Sequence, residues 1–142
     1  VEKSLAAGAD ADARGKYGWS PLIHAAFNGH LPVVRRLLQA GAALDLRSDD
    51  GASALYWAAS QGREPVVRFL IQNGADVNVI RSGDWTPLTA AIYSGHEAIA
   101  NLLIDAGARV DHESRGERMD QWAVRHGRTE VVRHIRRLGL KR

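Results

Sequence analysis

The chain has 142 residues, no cysteine, 19 Lys/Arg against 16 Asp/Glu, and 45% hydrophobic residues. A chain of this length forms one domain that buries about 70% of its unfolded surface. Its composition excludes disulfides and thiolate metal sites, and no window nears the roughly 18 apolar residues of a membrane-spanning helix. No secretory leader is read at Val1, and the compartment stays open with the cytoplasm favoured. The net charge of +3 is unevenly placed. Residues 1–108 carry nine Lys/Arg and eleven Asp/Glu, whereas residues 109–142 carry ten and five. The basic character belongs to the end of the chain.

Residues 1–14 hold Leu5 and Gly8-Ala9-Asp10, a pattern that returns down the chain. Gly8, Gly41, Gly74, Gly107 and Gly139 follow one another at intervals of 33, 33, 33 and 32. Self-similarity at this period means stacked supersecondary units. After the partial unit come units at 15–47, 48–80 and 81–112, then a divergent one at 113–142. In the first, Ser20 is an N-cap and Pro21 a first helical residue. Helices are predicted near 21–28 and 31–39, separated at Gly29. The second opens at Ser53, with helices near 54–61 and 64–73. The third opens at Thr86-Pro87, with helices near 87–94 and 97–105. The last reads Arg118-Met119-Asp120-Gln121-Trp122-Ala123, with helices near 119–126 and 129–137. Alanines at 25/26, 58/59 and 91 allow inner helices to approach closely. Polar turn segments follow each outer helix.

Ser20-Pro21-Leu22 with Ala25-Ala26, then Gly29-His30, Val33-Val34, Leu37-Leu38 and Gly41-Ala42, recurs in register. Gly74-Ala75-Asp76-Val77-Asn78 belongs to the same pattern. The chain resembles the ankyrin repeat family over nearly all its length. The resemblance implies an all-α solenoid of helix-turn-helix units with projecting β-turn fingers, working as a protein-binding module. The family's usual His after Pro-Leu is Ile23, Tyr56 and Thr89 here, so the fingers are expected to be braced differently. Asp120 replaces a core Leu, and Arg136 stands where Leu5, Leu38, Ile71 and Ile104 precede the other glycines. Charge there suits a solvent-facing end of the stack. The other end is expected to continue upstream, as part of a longer chain.

No catalytic constellation, cofactor loop or metal-ligand spacing is found, so the expectation is no enzyme, no cofactor and no metal. His30 and His96 occupy a structural site of the family. Asp49-Asp50 reads as a solvated turn. The segment ending Asp76-Val77-Asn78 is similar to the site an asparaginyl hydroxylase modifies in ankyrin repeats, but Asn78 is expected to brace the next turn.

Function is expected at positions the framework leaves free. The partner-binding candidates are Tyr17, Trp19, Phe27, Asn28, Ser60, Gln61, Trp85, Tyr93 and Arg125. Trp19 and Trp85 share one repeat position, and Phe27 and Tyr93 another; Ala52 and Ser60 stand there in the middle repeat. Two aromatic ridges around a small-residue saddle would receive an inserted side chain or loop. The alternative is that each Trp packs on its neighbouring turn and steadies the finger. Tyr56, Trp57 and Trp122 are expected to pack between repeats. Arg128, Arg133, Arg136, Arg137, Lys141 and Arg142 form either a solvated cap or a surface for an acidic partner or nucleic acid. The expected partner is a protein, bound by a monomer, with no membrane involved. A nucleic-acid or small-ligand receptor using the aromatics and the basic end is the competing reading.

Overall fold

The computed structural model describes residues 15–139. The partial unit at 1–14, with Leu5, and the cluster members Lys141 and Arg142 lie outside the described residues. Within them run four helix pairs: α1 (Pro21–Asn28) and α2 (Leu31–Gln39), α3 (Ala54–Ser60) and α4 (Glu64–Gln72), α5 (Pro87–Ser94) and α6 (Glu97–Asp105), α7 (Met119–Arg125) and α8 (Thr129–Arg137). Every bound agrees with the expected one to within a residue.

The first three inner helices begin where a hydroxyl catches a free backbone N–H. Ser20 Oγ accepts from the Ile23 N–H at 3.3 Å and Ser53 Oγ from the Tyr56 N–H at 3.3 Å. Thr86 and Thr89 cap each other reciprocally. The fourth, α7, has no such hydroxyl; there Gln121 Oε1 accepts from the Arg118 N–H at 2.9 Å.

The inner helices stack in chain order, α1 on α3, α3 on α5 and α5 on α7, and each packs on its own outer helix. Leu22, Leu55 and Leu88 from the inner row and Leu37, Leu70 and Leu103 from the outer row fill the core, none more than 1% exposed. Ala26, Ala59 and Ile92 are fully buried where one repeat meets the next. In the last pair, Met119, Trp122 and Ile135 supply the buried side chains. Asp120 stays at the surface edge, paired with Arg118 at 3.2 Å.

One contact recurs along the stack. Arg63 Nε donates to the Phe27 carbonyl at 3.1 Å, and Arg128 Nε to the Ile92 carbonyl at 2.7 Å. A cation from each of these repeats closes the negative end of the preceding inner helix. His96 lies over Gly62 in the same way, so close that a Cβ on Gly62 would come within 2.7 Å of its ring. Gly62 is therefore required both by its φ of +75° and by this approach.

Candidate functional site

Four fingers project beside the inner helices. The first three close through backbone hydrogen bonds from Gly15 to Trp19, Ser48 to Ala52 and Arg81 to Trp85, at 2.9, 2.8 and 2.7 Å. The fourth is a hairpin of β1 (Glu113–Ser114) and β2 (Glu117–Arg118). Its turn, Arg115-Gly116, has φ of 54° and 80°, as a two-residue turn of this kind requires. It is one residue shorter than the other tips, which accounts for the final interval of 32.

Neighbouring fingers are joined. The Asp49 N–H donates to the Tyr17 carbonyl at 3.0 Å, and the Ser82 N–H to the Asp50 carbonyl at 2.8 Å. Ser114 Oγ donates to the Asp84 carbonyl at 2.5 Å. Two of the residues that replace the family's His, Tyr56 and Thr89, reach forward to these joints. Tyr56 takes a hydrogen bond from Arg81 Nη1 at 3.1 Å, and Arg81 Nε pairs with Asp50 at 2.8 Å. Burial by itself raises the Asp50 pKa, but hydrogen bonds from Ser48 and Arg81 and the Arg81 charge outweigh it and hold the carboxyl below its usual range. Thr89 Oγ1 lies 3.0 Å from Ser114 Oγ. Tyr56 and Thr89 therefore brace the following finger, whereas Ile23 is a buried core residue.

On this frame sit two aromatic clusters. In the first, the Trp19 ring lies 5.2 Å from Phe27 and 5.4 Å from Trp57, and the Arg81 guanidinium stands 5.0 Å from the Trp57 ring. Two repeats on, Trp85 lies 5.4 Å from both Tyr93 and Trp122, nearly perpendicular to each. His126 completes that cluster, 5.7 Å from Tyr93 and 5.0 Å from Trp122. Edge-to-face contacts of this kind suit the charge distribution of the rings. Buried Ala52, Tyr56 and Ala90 lie between the clusters, with Trp57 and Trp85 packed against them.

Tyr17 and Tyr93 are 66% and 56% exposed. Asn28, Gln61 and Arg125 are exposed, while Trp19, Phe27, Ser60 and Trp85 are half-buried. The two tryptophans pack on their neighbours and are half-buried. The small-residue saddle needs correction. Ala52 is fully buried and lines no surface, and Trp57 forms the relief of the middle repeat. Trp122 packs between repeats as expected, its indole N–H donating to the Ser114 carbonyl at 3.0 Å.

His24, Trp57 and His126 join the face beside these residues, and Trp122 is buried behind it. His24, Trp57, Ala90 and Trp122 occupy one column of the repeat, and that column was the signal available. Trp57 Nε1 and His126 Nε2 are buried without a hydrogen-bond partner. Burial first, then the charges of Arg125 and Arg128, lower the His126 pKa, so its ring is neutral at neutral pH. Asn78 braces the next turn, accepting from the Arg109 N–H at 2.9 Å and donating to the Gly107 carbonyl at 3.2 Å.

Among the described residues no three His, Asp or Glu side chains gather to hold a metal ion. No helix among them is long and apolar enough to cross a membrane. A family model described as Ankyrin repeats (3 copies) matches residues 1–81, and one described as Ankyrin repeat matches residues 83–115. No curated protein matches the chain. With both matches in phase with the helix pairs, the chain belongs to the ankyrin repeat family, whose domains are generally protein–protein interaction modules.

Proposed function

We propose that this chain is a non-catalytic module that takes a protein partner along the face made by its fingers and inner helices. The observation that carries the reading is the doubled aromatic cluster. Trp19 and Phe27 with Trp57, and Trp85 and Tyr93 with Trp122, place rings at corresponding sites two repeats apart. Large, rotamer-poor aromatics bury much area at little entropic cost, which is why they concentrate in binding hot spots. Tyr17, Asn28, Gln61, Tyr93 and Arg125 are the exposed contacts in this reading, with Trp19, Phe27, Ser60 and Trp85 beneath them.

The competing reading, nucleic-acid binding through the basic end, rests on the charge excess of residues 109–142. That excess is already net of the segment's own carboxylates, so its internal ion pairs lower the number of free cations and leave the excess unchanged. Arg109, Arg118, Arg125 and Arg133 each pair with a carboxylate. Photo-cross-linking separates the alternatives. A photoreactive side chain at Asn28 or Gln61 should capture a protein, and one at Arg35 or Arg68, on the outer helices, should not. A dominant nucleic-acid adduct whose yield falls steeply with salt would replace this reading with its competitor.

A further inference from the structure

The outer face of the α7–α8 pair, which no helix among the described residues covers, differs from every internal junction. Ala26, Ala59 and Ile92 are fully buried by the repeat that follows, but Val124, at the same repeat position, is 62% exposed. Val132 is half-buried where Val34, Val67 and Ala100 are fully buried. Gly29, Gly62 and Gly95 are covered by Arg63, His96 and Arg128, whereas a Cβ on Gly127 would meet nothing within 4 Å. These residues floor a cleft of about 350 Å³ between α7 and α8.

Its rim is cationic. Arg128, Arg133 and Arg136 line it, and no carboxylate does among the described residues. Arg128 is occupied with the Ile92 and Tyr93 carbonyls, and Arg133 with Glu130. Arg136 stands where Leu38, Ile71 and Ile104 face the next repeat. An apolar floor suits neither a phosphate backbone nor bulk water, and the Arg136 charge rejects another repeat of the ordinary apolar kind. Each internal face of this shape is covered by helices.

We infer that the α7–α8 end face is a second docking surface, separate from the fingers, and that its occupant is an acidic amphipathic helix of a partner protein. Apolar residues at i, i+3, i+4 and i+7 would cover Val124 and Val132. Carboxylates flanking that stripe would meet Arg136 in charge-assisted hydrogen bonds, and Arg133 once it leaves its exposed pair with Glu130.

The test uses residues 1–142, isotope-labelled, and a synthetic acidic helix of about four turns, roughly 15 residues, with Leu on one face and Glu elsewhere. A shuffled peptide of equal composition and a short DNA duplex are the controls. Expected are amide shifts centred on Val124, Gly127 and Val132, with Tyr17 and Tyr93 unmoved. Val124→Glu and Arg136→Glu should each weaken binding about ten-fold, as should shuffling the peptide. Both positions are exposed, and an unchanged spectrum of each variant elsewhere verifies its fold. The inference is overturned by shuffled peptide binding equally well, by the duplex displacing the helix, or by shifts centred on Tyr17 and Tyr93. Concentration-dependent self-association abolished by Val124→Glu would also overturn it, by making a second copy the occupant.

Discussion

The two aromatic clusters occupy corresponding repeat positions and have diverged in burial. In the first, Trp57 remains half-exposed, with its indole N–H unpartnered and Arg81 stacked against its ring. In the second, Trp122 is 2% exposed, its N–H donates to the Ser114 carbonyl, and Tyr93 stands out at 56%. The fourth finger accounts for much of the difference. It is one residue shorter and closes as a true hairpin, which places a carbonyl within reach of Trp122. One column of the repeat thus serves the surface in one place and the core in another.

The comparison is broken most severely at the buried ring. Trp122→Ala should cost about 3–5 kcal/mol in denaturant unfolding, as for other buried aromatics. Trp57→Ala, half-exposed, should cost about 1 kcal/mol. Equal losses would show that the two clusters are equivalent after all. Trp85→Ala falls between, at about 1–3 kcal/mol, because the ring packs on Trp122 and on the Ala52–Tyr56–Ala90 group. Trp85 is consequently a poor probe of binding alone.

Arg81→Met removes the link between Asp50 and Tyr56 and should cost about 1 kcal/mol at neutral pH. The lowered Asp50 pKa means that this carboxylate favours the folded state above its usual value of 3.8, and that its contribution is lost as pH falls. The variant should accordingly show a shallower acid limb in its pH–stability curve. A smaller effect concerns His126. Its lowered pKa means that protonation favours the unfolded chain, so stability is full above the usual value of 6.5 and declines as pH drops below it. Thermal melts at about pH 7.5 and pH 5 should differ less for His126→Phe than for the parent.

The helix pairs were legible because their punctuation is local. Ser20, Ser53 and Thr86 cap, Pro21 and Pro87 start, and Gly29 and Gly95 stop, each by a mechanism confined to a few residues. Trp57 reads as packing in the sequence, because it sits close to framework positions. Arg81 could not be found at all. Its role depends on Asp50, 31 residues earlier, and Tyr56, 25 residues earlier, meeting across two fingers. The Ala52 part of the saddle is not legible by analogy with Trp19 and Trp85, because a small side chain at that position sinks beneath its neighbours.

The most direct measurement pairs stability with affinity for Tyr93→Ala. Tyr93 is the exposed member of the better-packed cluster, so its ring can be removed with little damage to the core. The unfolding free energy should change by no more than about 0.5 kcal/mol. Affinity for the protein cross-linked at Asn28 or Gln61 should fall by about 1–2 kcal/mol, roughly ten-fold or more. A partner that binds Tyr93→Ala and Tyr17→Ala as tightly as the parent chain would contradict the account.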